Sequence, residues 1–408
     1  MSPLAGPSAT PEAPIPFPFP PSPSIFHPQP ELAELRQNRP VAQVQLPDGK
    51  TAWLVTRYED VRQVLIDPRF SRAAATGPAV PDVGLGQAAA DSILSLDPPD
   101  HTRLRRLVAG AFTARRAEAL RPRVTKLVDE LIDRLLTLPQ PADLVENFSL
   151  PLPIQVICEL LGVPTADRHL FREWSDTVMS DTTRDPREID AALEQLGEYF
   201  GRLIASKRAK PDDGLITALI AARDEQDRLT EKELVRLCFT LLVAGHETTA
   251  NQINMFLLTL HEYPEQLERL RARPESIPQA VEELMRFVQL GSGGAGLPRV
   301  TTEDVELSGV RIPAGSAVFP VMSAANRDPA AMADPDRLDV TRSLTAHLGF
   351  GAGPHHCLGA QLARLELQEA LRGLLTRMPG MRIAVPVEEL PFKEGMLLNS
   401  LRTLPVRW

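Results

Sequence analysis

The chain has 408 residues, of which 43% are hydrophobic, and its formal net charge is -9 at pH 7. It can therefore bury a large core, and we expect neither a nucleic acid nor a membrane as its partner. The length alone would favour two or three domains, but no interior segment resembles a flexible linker. We predict one large domain, residues 31–408, behind a short N-terminal tail.

Residues 1–30 form this tail, which is rich in proline. They hold eleven of the 39 prolines, and no Lys or Arg precedes Arg36. A secretory signal needs a basic start and a continuous apolar stretch, and proline at every second position from 14 to 20 breaks any such helix. No apolar run elsewhere approaches the roughly 20 residues that are needed to cross a bilayer. We therefore expect a soluble, cytoplasmic protein.

Helix signals dominate from about residue 91 to residue 378. The sequence Thr-Glu-Lys-Glu at 230–233 is a capping box that opens a long apolar helix running to residue 264. Proline in the first turn indicates another helix start at 276–278, and a third helix is predicted over 358–378. Short strand-like segments lie near the two ends of the chain, at 41–46, 52–56, 318–322, 381–385 and 401–406. The predicted fold class is mainly α with a small segregated β part.

Residues 291–296 match the pattern G-x-G-x-x-G letter for letter. A dinucleotide-binding fingerprint needs a strand before the glycines and a helix after them. Here a predicted helix precedes the glycines and Pro298 follows them. We therefore predict a flexible turn beside a pocket and no dinucleotide site.

The three cysteines are Cys158, Cys238 and Cys357, and no C-x-x-C pair is present. An odd and sparse set argues against a disulfide framework and against a structural zinc site. Cys158 and Cys238 lie in apolar helical segments, where we expect them to be buried as small hydrophobic residues. Cys357 differs, because it follows a glycine-rich loop and precedes an amphipathic helix.

The surroundings of Cys357 favour a thiolate. The preceding glycines permit tight turns and close contact with a flat group. A helix N-terminus supplies unpaired N–H donors and a partial positive charge, both of which stabilise a thiolate over a thiol. Such a sulphur could be an axial ligand of haem iron, a nucleophile near His355, or simply a buried thiol. The loop by itself leaves these three interpretations open.

The loop resembles the haem-binding signature of cytochromes P-450. The matching pattern is Phe350-x-x-Gly353-x-His355-x-Cys357-x-Gly359, with histidine where many members have arginine. The resemblance implies the cytochrome P-450 fold, with a long central helix over the haem. It also implies a haem b cofactor (iron protoporphyrin IX) with Cys357 as the axial ligand of its iron. Phe350, His355 and Gly359 would contact the cofactor.

The middle of the long helix, Ala244-Gly245-His246-Glu247-Thr248, also resembles the family. Ala244 and Gly245 would leave room for a flat ring and for dioxygen, while Thr248 would place a hydroxyl at the edge of that space. A threonine in mid-helix more often bonds the carbonyl four residues back. Glu247 would be costly to bury without a partner. The resemblance implies catalytic roles for Glu247 and Thr248, with Ala244 against the cofactor.

Glu283 and Arg286 resemble the E-x-x-R motif of the family. At this spacing the two side chains are neighbours on one helix face, and such a pair is by itself nearly always a solvated surface pair. Arg337, in the segment Pro-Asp-Arg-Leu at 335–338, would complete a charge network. The implied role of this network is to hold the haem-side core together.

The segment 97–106 resembles the helix that binds the haem propionates in this family. His101 and Arg105 are four residues apart and share one face of it. Arg299 matches another propionate-binding arginine, and His355 supplies a fourth cationic group. Because haem b carries two propionates, several converging cations make electrostatic sense.

The resemblance covers roughly residue 33 to the end and implies a monooxygenase that inserts one oxygen atom of dioxygen into a C–H or C=C bond. The chain is most similar to actinomycete cytochromes P-450 that tailor macrolides and other polyketides, so we expect a bulky apolar secondary metabolite. Oxidation of a xenobiotic or a terpenoid is the alternative, and a haem protein that only binds or senses a gas is a further one. The substrate pocket would be formed by the segments 73–94, 170–206, 291–297 and 396–397.

A basic stretch suggests the redox partner. From Arg103 to Lys126 the chain carries seven arginines and one lysine against a single acid, Glu118. Such runs are usually solvated helix faces, but this one includes the expected propionate ligands and should lie over the proximal face of the haem. We expect an acidic ferredoxin, served by a ferredoxin reductase, to dock near Arg115 and Arg116.

Overall fold

The computed structural model describes residues 13–77, 80, 92–180, 185–224, 229–291, 296–343 and 347–408. Helices dominate this part of the chain. They are α1 Pro30–Asn38, α2 Tyr58–Ile66, α3 Asp100–Ala109, α4 Ala114–Leu136, α5 Pro151–Leu161, α6 Arg168–Val178, α7 Pro186–Ala209, α8 Leu215–Asp224, α9 Glu231–Glu262, α10 Pro264–Ala272, α11 Ile277–Phe287, α12 Met322–Ala325 and α13 Ala360–Arg377. Within the described ranges, none of them combines the length and the apolar character of a membrane-spanning helix.

The β part consists of short strands in three small sheets. The strands are β1 Ile15–Pro16, β2 Val41–Gln45, β3 Thr51–Val55, β4 Phe70–Ser71, β5 Ala142–Asp143, β6 Arg299–Thr301, β7 Val305–Leu307, β8 Val310–Ile312, β9 Ala317–Pro320, β10 Arg382–Ile383 and β11 Pro405–Arg407. The largest sheet has the order β1-β2-β3-β9-β6-β4, the second is β10-β11-β5, and β7 pairs with β8. The predicted class, mainly α with a small segregated β part, is confirmed.

The longest helix, α9, passes through the core and begins as its sequence predicts. The Thr230 hydroxyl oxygen accepts a hydrogen bond from the Glu233 N–H at 3.2 Å, and the Glu233 carboxylate accepts one from the Thr230 N–H at 2.7 Å. These two bonds satisfy donors that a helix start leaves free. The helices predicted to begin near 276 and 358 are α11 and α13.

Close helix contacts place α5 and α13 around this core. Gly245 of α9 lies against α5, where an added Cβ would come within 2.8 Å of Ile157 Cγ1. On α13, a Cβ at Gly373 would collide with Val128 of α4. The expectation that Gly245 leaves room for a flat ring is therefore corrected: its missing side chain allows two helices to approach each other.

Part of the proline-rich segment belongs to the packed structure. β1 pairs in parallel with β2, and Phe17 and Phe19 are buried in one cluster with Phe319. The rings of Phe17 and Phe19 also pack on each other edge to face, with their centroids 5.3 Å apart. The boundary at residue 30, which was predicted from composition, therefore does not coincide with a boundary in packing.

Candidate active site around Cys357

The loop before Cys357 is held by backbone contacts. The Cys357 N–H donates to the Phe350 carbonyl oxygen at 2.8 Å, and Gly351 and Gly353 both have a φ of 69°. A Cβ at Gly353 would come within 2.6 Å of the Leu65 carbonyl oxygen. Glycine is therefore required here by the turn and by the backbone of α2. The sequence had suggested contact with a flat group for these glycines.

The Cys357 sulphur lies three residues before α13. Its side chain is exposed, yet burial is the largest influence on the Cys357 pKa and raises it. The Gly359 N–H and the positive charges of Arg105 and Arg364 act in the opposite direction and favour the thiolate. An exposed sulphur that is nevertheless desolvated lies in a hollow of the structure. The helix start lowers the pKa of Cys357, as predicted, but burial raises this pKa by more.

A half-buried ion pair lies against Phe350. The Arg364 guanidinium lies 4.3 Å from the centroid of the Phe350 ring and donates to the Glu282 carboxylate at 2.6 and 2.8 Å. Burial raises the pKa of Glu282, but its bonds to His347 and Arg364 outweigh burial, and the pKa falls to about 2. Sequence reasoning missed this cluster, because Glu282 and Arg364 are 82 positions apart.

Glu283 and Arg286 form a buried pair at the predicted spacing. Arg286 Nε and Nη2 each donate to the Glu283 carboxylate at 2.7 Å, and both side chains are 1% exposed. Arg286 also donates to the carbonyl oxygens of Asn326 at 2.9 Å and Pro335 at 2.7 Å. These contacts join α11 to the segment that precedes the Cys357 loop, so the surface-pair interpretation does not apply.

The structure corrects the prediction for Arg337. Its guanidinium is 61% exposed and bonds to Asp339, and only its backbone carbonyl accepts a bond from Arg286, at 3.2 Å. The side chain that reaches Glu283 is Arg342, whose Nε lies 3.2 Å from Glu283 Oε1. A turn in which the Arg337 N–H donates to the Asp334 carbonyl oxygen leaves the Arg337 side chain outside the network.

Four basic side chains, His101, His355, Arg299 and Arg72, converge beside Asp97. The ring centroids of His101 and His355 are 4.3 Å apart. His101 Nδ1 and His355 Nε2 are buried and have no hydrogen-bond partner among the described residues. We refer to these four residues as the basic cluster.

Burial, and to a smaller extent mutual repulsion, lower the pKa values of the basic cluster. Burial and the neighbouring Arg72 lower the pKa of Arg299 to about 9, while Asp97 opposes this shift. Burial also lowers the pKa of Arg72 to about 10. In His355, burial and then the charges of its three basic neighbours lower the pKa to about 3. Buried cations that repel one another are unfavourable without a counter-charge, so the arrangement suits an anionic ligand.

Two arginines differ from the sequence prediction: Arg105 was predicted for the anion site but supports the Cys357 loop, and Arg72 was not predicted but belongs to the basic cluster. Arg105 lies one helical turn from His101, as predicted, but its Nη2 donates to the His356 carbonyl oxygen at 2.6 Å and so supports the Cys357 loop. Arg72 was not predicted, because nothing in its local sequence marks it. It is buried, and its Nε donates to the Leu94 carbonyl oxygen at 3.0 Å.

A short exposed face opens in the middle of α9. From Leu237 to Leu260 every residue is buried except Ala244, which is exposed, and Gly245 and Thr248, which are half-buried. Ala244 and Thr248 are four residues apart and therefore border the same space. The Thr248 hydroxyl donates to the Ala244 carbonyl oxygen at 3.0 Å, the bond that mid-helix threonines commonly make. Its oxygen can still accept a hydrogen bond.

Glu247 is buried beside His246, and the two side chains are 2% and 0% exposed. The atoms His246 Nε2 and Glu247 Oε1 are 3.4 Å apart. Burial raises the pKa of Glu247, but His246 and the positive charges of Lys393 and Arg172 outweigh burial, and the pKa is lowered. The sequence expectation of a partner for this carboxylate is met by the adjacent histidine.

Three of the predicted pocket segments meet in the structure. The Leu397 N–H donates to the Met179 carbonyl oxygen at 3.1 Å, and the Asn399 N–H donates to the Leu290 carbonyl oxygen at 2.8 Å. The C-terminal hairpin therefore joins the end of α6 to the segment that follows α11. Residues 78–79, 81–91, 181–184 and 292–295 of the predicted pocket lie outside the described residues.

Comparison with known proteins identifies the family. Residues 166–276 and 275–378 match the family model for cytochrome P-450. Nocardicin C N-oxygenase from Nocardia uniformis subsp. tsuyamanensis is 51% identical over 93% of this chain and 95% of its own length. The chain belongs to the cytochrome P-450 family.

Two further similarities refine this result. Mycinamicin IV hydroxylase/epoxidase from Micromonospora griseorubida is 51% identical to this P-450 over 92% of this chain and 94% of its own. The solved structure of a point mutant of the mixed-function P-450 MycG in complex with mycinamicin V has a TM-score of 0.88 and 49% identity. That similarity covers 97% of this chain and 100% of the other. This P-450 is accordingly a monooxygenase of small molecules that needs haem and a redox partner.

The residues of the site fit a haem. The Cys357 sulphur lies exposed in a desolvated hollow, and on the open face of α9 Ala244 presents only a methyl group. The basic cluster supplies buried cations and two nitrogen atoms without partners, as the acidic edge of a haem requires.

Proposed function

We propose that this P-450 hydroxylates or epoxidises a bulky apolar secondary metabolite, namely a macrolide or another polyketide. The observation that carries the proposal is the open face of α9, where Ala244 and Thr248 interrupt an otherwise buried stretch. The 51% identity to mycinamicin IV hydroxylase/epoxidase supports the substrate class. The junction of the C-terminal hairpin with the end of α6 is formed by the apolar residues Met179 and Leu397, a composition that suits such a substrate.

We assign the cofactor as haem b, with Cys357 as the axial ligand of its iron. Its two carboxylates would bind the basic cluster, to which Arg72 adds a charge that the sequence did not predict. Bound haem supplies the activation of dioxygen. In this proposal Phe350 and Gly359 shape the ligand loop, while Thr248 and Glu247 handle protons above the cofactor. We place the protein in the cytoplasm.

The substrate class can be tested by spectroscopy and by isotope labelling. We expect macrolides of the mycinamicin type to shift the haem spectrum of this protein at micromolar concentrations and to gain one labelled oxygen atom from ¹⁸O₂. Terpenoids, xenobiotics and nocardicin C serve as comparison ligands in the same panel. A response to one of these, with none to any macrolide or other polyketide, would replace the proposed class.

We further propose that a ferredoxin, reduced by a ferredoxin reductase, docks at the start of α4. An earlier residue of α4 pairs with an earlier residue of α13, since Arg121 bonds Glu369 at 2.6 Å. A later residue of α4, Asp129, pairs with a later residue of α13, Arg377, at 3.2 Å. The two helices are therefore parallel, and the start of α4 lies at the end of α13 that adjoins Cys357.

The charges at this end favour an acidic partner. Arg115 and Arg116 are exposed and form no ion pair within the part of the chain that the structure describes, whereas Arg123 is paired with Glu159. They occupy the first turn of α4, where the helix dipole disfavours cations. Local stability does not explain their presence, but recruitment of an acidic protein does.

Reversal of these charges should slow electron delivery. The double variant Arg115→Glu/Arg116→Glu is expected to lower the rate of ferredoxin-supported reduction roughly tenfold at low salt, with substrate binding intact. High salt should reduce the difference, because exposed charges are screened.

The matched control carries the same charge change elsewhere. Arg382 and Arg407 are exposed cross-strand neighbours on β10 and β11, and their replacement by Glu should leave the reduction rate unchanged. Equal reduction rates for the α4 variant and the unmodified protein at low salt would rule out this docking site.

A further inference from the structure

The tautomer of His246 follows from one hydrogen bond. His246 Nδ1 lies 2.7 Å from the Leu242 carbonyl oxygen, one turn earlier on α9. A carbonyl oxygen can only accept, so Nδ1 must carry a hydrogen atom. A neutral His246 therefore has a bare lone pair on Nε2.

The carboxylate of Glu247 lies close to that lone pair. Glu247 Oε1 is 3.4 Å from His246 Nε2, and within the described ranges neither atom has a hydrogen-bond partner. Both side chains are buried, so two facing lone pairs would repel each other without solvent to screen them. One proton between the two atoms removes the repulsion and satisfies both of them.

We infer that His246 and Glu247 together hold one exchangeable proton, and that His246 is a positioning residue that supplies it through Glu247 to the proton path beside Thr248. The inference rests on the proposed function, which requires protons at the open face of α9. Burial raises the pKa of Glu247, but the contact with His246 outweighs burial and the pKa is lowered, so Glu247 is the ionised partner of the pair.

Positively charged groups on two other elements favour release of the proton by the pair. Lys393, in the first arm of the C-terminal hairpin, and Arg172, on α6, both place positive charge towards Glu247. Each of them is itself paired, Lys393 with Asp176 and Arg172 with Glu146. Positive charge on two sides disfavours a second proton and favours loss of the one that is held.

The reaction consumes protons, so a residue pair that holds one proton near the open face of α9 has a use in it. Monooxygenation consumes two protons and two electrons per dioxygen molecule, with one oxygen atom entering the product and the other leaving as water. When the pair gives up its proton, its net charge falls by one and the bare Nε2 again faces the carboxylate. This unfavourable state is relieved by a proton taken from solvent, which resets the pair.

The protonation of Glu247 can be read directly by infrared spectroscopy of the haem-loaded protein at rest. In His246→Leu the burial of Glu247 is no longer opposed by His246, so the pKa of Glu247 should rise and a carboxylic acid band should appear at pH 7. The band should vanish in the double variant His246→Leu/Glu247→Gln. Glu366, another buried carboxyl group with a raised pKa, contributes equally to all these spectra and cancels in the differences.

The turnover rate tests whether the enzyme uses the proton that His246 and Glu247 share. His246→Gln keeps an N–H donor for Glu247 but cannot release a proton at neutral pH, so we expect roughly tenfold slower turnover and a larger solvent deuterium isotope effect. The matched control is His261→Gln on the same helix. His261 makes the same bond, from Nδ1 to the Leu257 carbonyl oxygen at 2.8 Å, but its Nε2 faces the Met381 carbonyl oxygen. The control should behave as the unmodified protein.

Two results would overturn the inference. An infrared spectrum of His246→Leu without the new band means that the two residues share no proton. An unchanged rate and isotope effect in His246→Gln mean that the shared proton is not used. The carbon monoxide spectrum of the reduced variants is the control. If it shows the normal band of a thiolate-ligated haem, the haem site is intact, and either result then counts against this inference and not against the proposed function.

Discussion

The variant Thr248→Ala is expected to consume reductant at a nearly normal rate while product formation falls roughly tenfold and hydrogen peroxide rises. The Thr248 hydroxyl is the polar side-chain group on the open face of α9. Because its hydrogen is used by the Ala244 carbonyl oxygen, the Thr248 oxygen is oriented to accept a bond from the hollow. Without it, protons reach activated dioxygen at the wrong position, and peroxide is released.

The cost of this substitution in stability should be small. The bond from Thr248 to the carbonyl four residues back does not stabilise a helix and is readily lost. Haem content and substrate binding should therefore stay near normal. Product, peroxide and reductant are measured together, with Thr249→Ala as the matched control, because Thr249 is the adjacent threonine and is buried away from the open face.

Glu247→Gln should differ from Thr248→Ala in kind. Loss of the carboxyl group removes the supply of protons, so turnover should slow while the ratio of product to peroxide changes less. If Thr248→Ala shows unchanged coupling, protons arrive by another route, such as a substrate hydroxyl, and the threonine serves only the helix.

Features with short sequence spacing could be predicted, because local geometry determines them. The capping box of α9 and the buried Glu283–Arg286 pair both follow from residues three positions apart. The four-residue spacing of Ala244 and Thr248 likewise placed them on one face. In these cases the side chains meet whatever the rest of the chain does.

Features that depend on distant segments could not be predicted from spacing. Glu282 and Arg364 are joined across 82 positions, and Arg72 joins the basic cluster only because a strand edge and a loop bring it there. The replacement of Arg337 by Arg342 at Glu283 has the same origin. A turn of the backbone determines which of the two arginines points inwards.

Gly245 illustrates a different limit. A small residue indicates close approach, but the sequence does not say what approaches. The family resemblance suggested a flat ring, whereas the structure places Ile157 of α5 there. The prolines before residue 30 are a similar case, since a composition that is typical of a loose tail also suits a strand at a sheet edge.

The central claim is that Cys357 is the thiolate ligand of the haem iron. The loop geometry supports only this cysteine: its sulphur faces the hollow, receives the Gly359 N–H and lies near two arginines. Cys158 and Cys238 are fully buried, and burial raises the pKa of Cys238 to about 12. The decisive difference is access, because only the Cys357 sulphur is exposed and can reach a cofactor.

The carbon monoxide spectrum of the reduced protein tests this claim most directly. We expect the strongly red-shifted Soret band of a thiolate-ligated haem in the unmodified protein, its complete loss in Cys357→His, and its retention in Cys158→Ser and Cys238→Ser. Retention of the band in Cys357→His, together with its loss in either serine variant, would contradict the assignment.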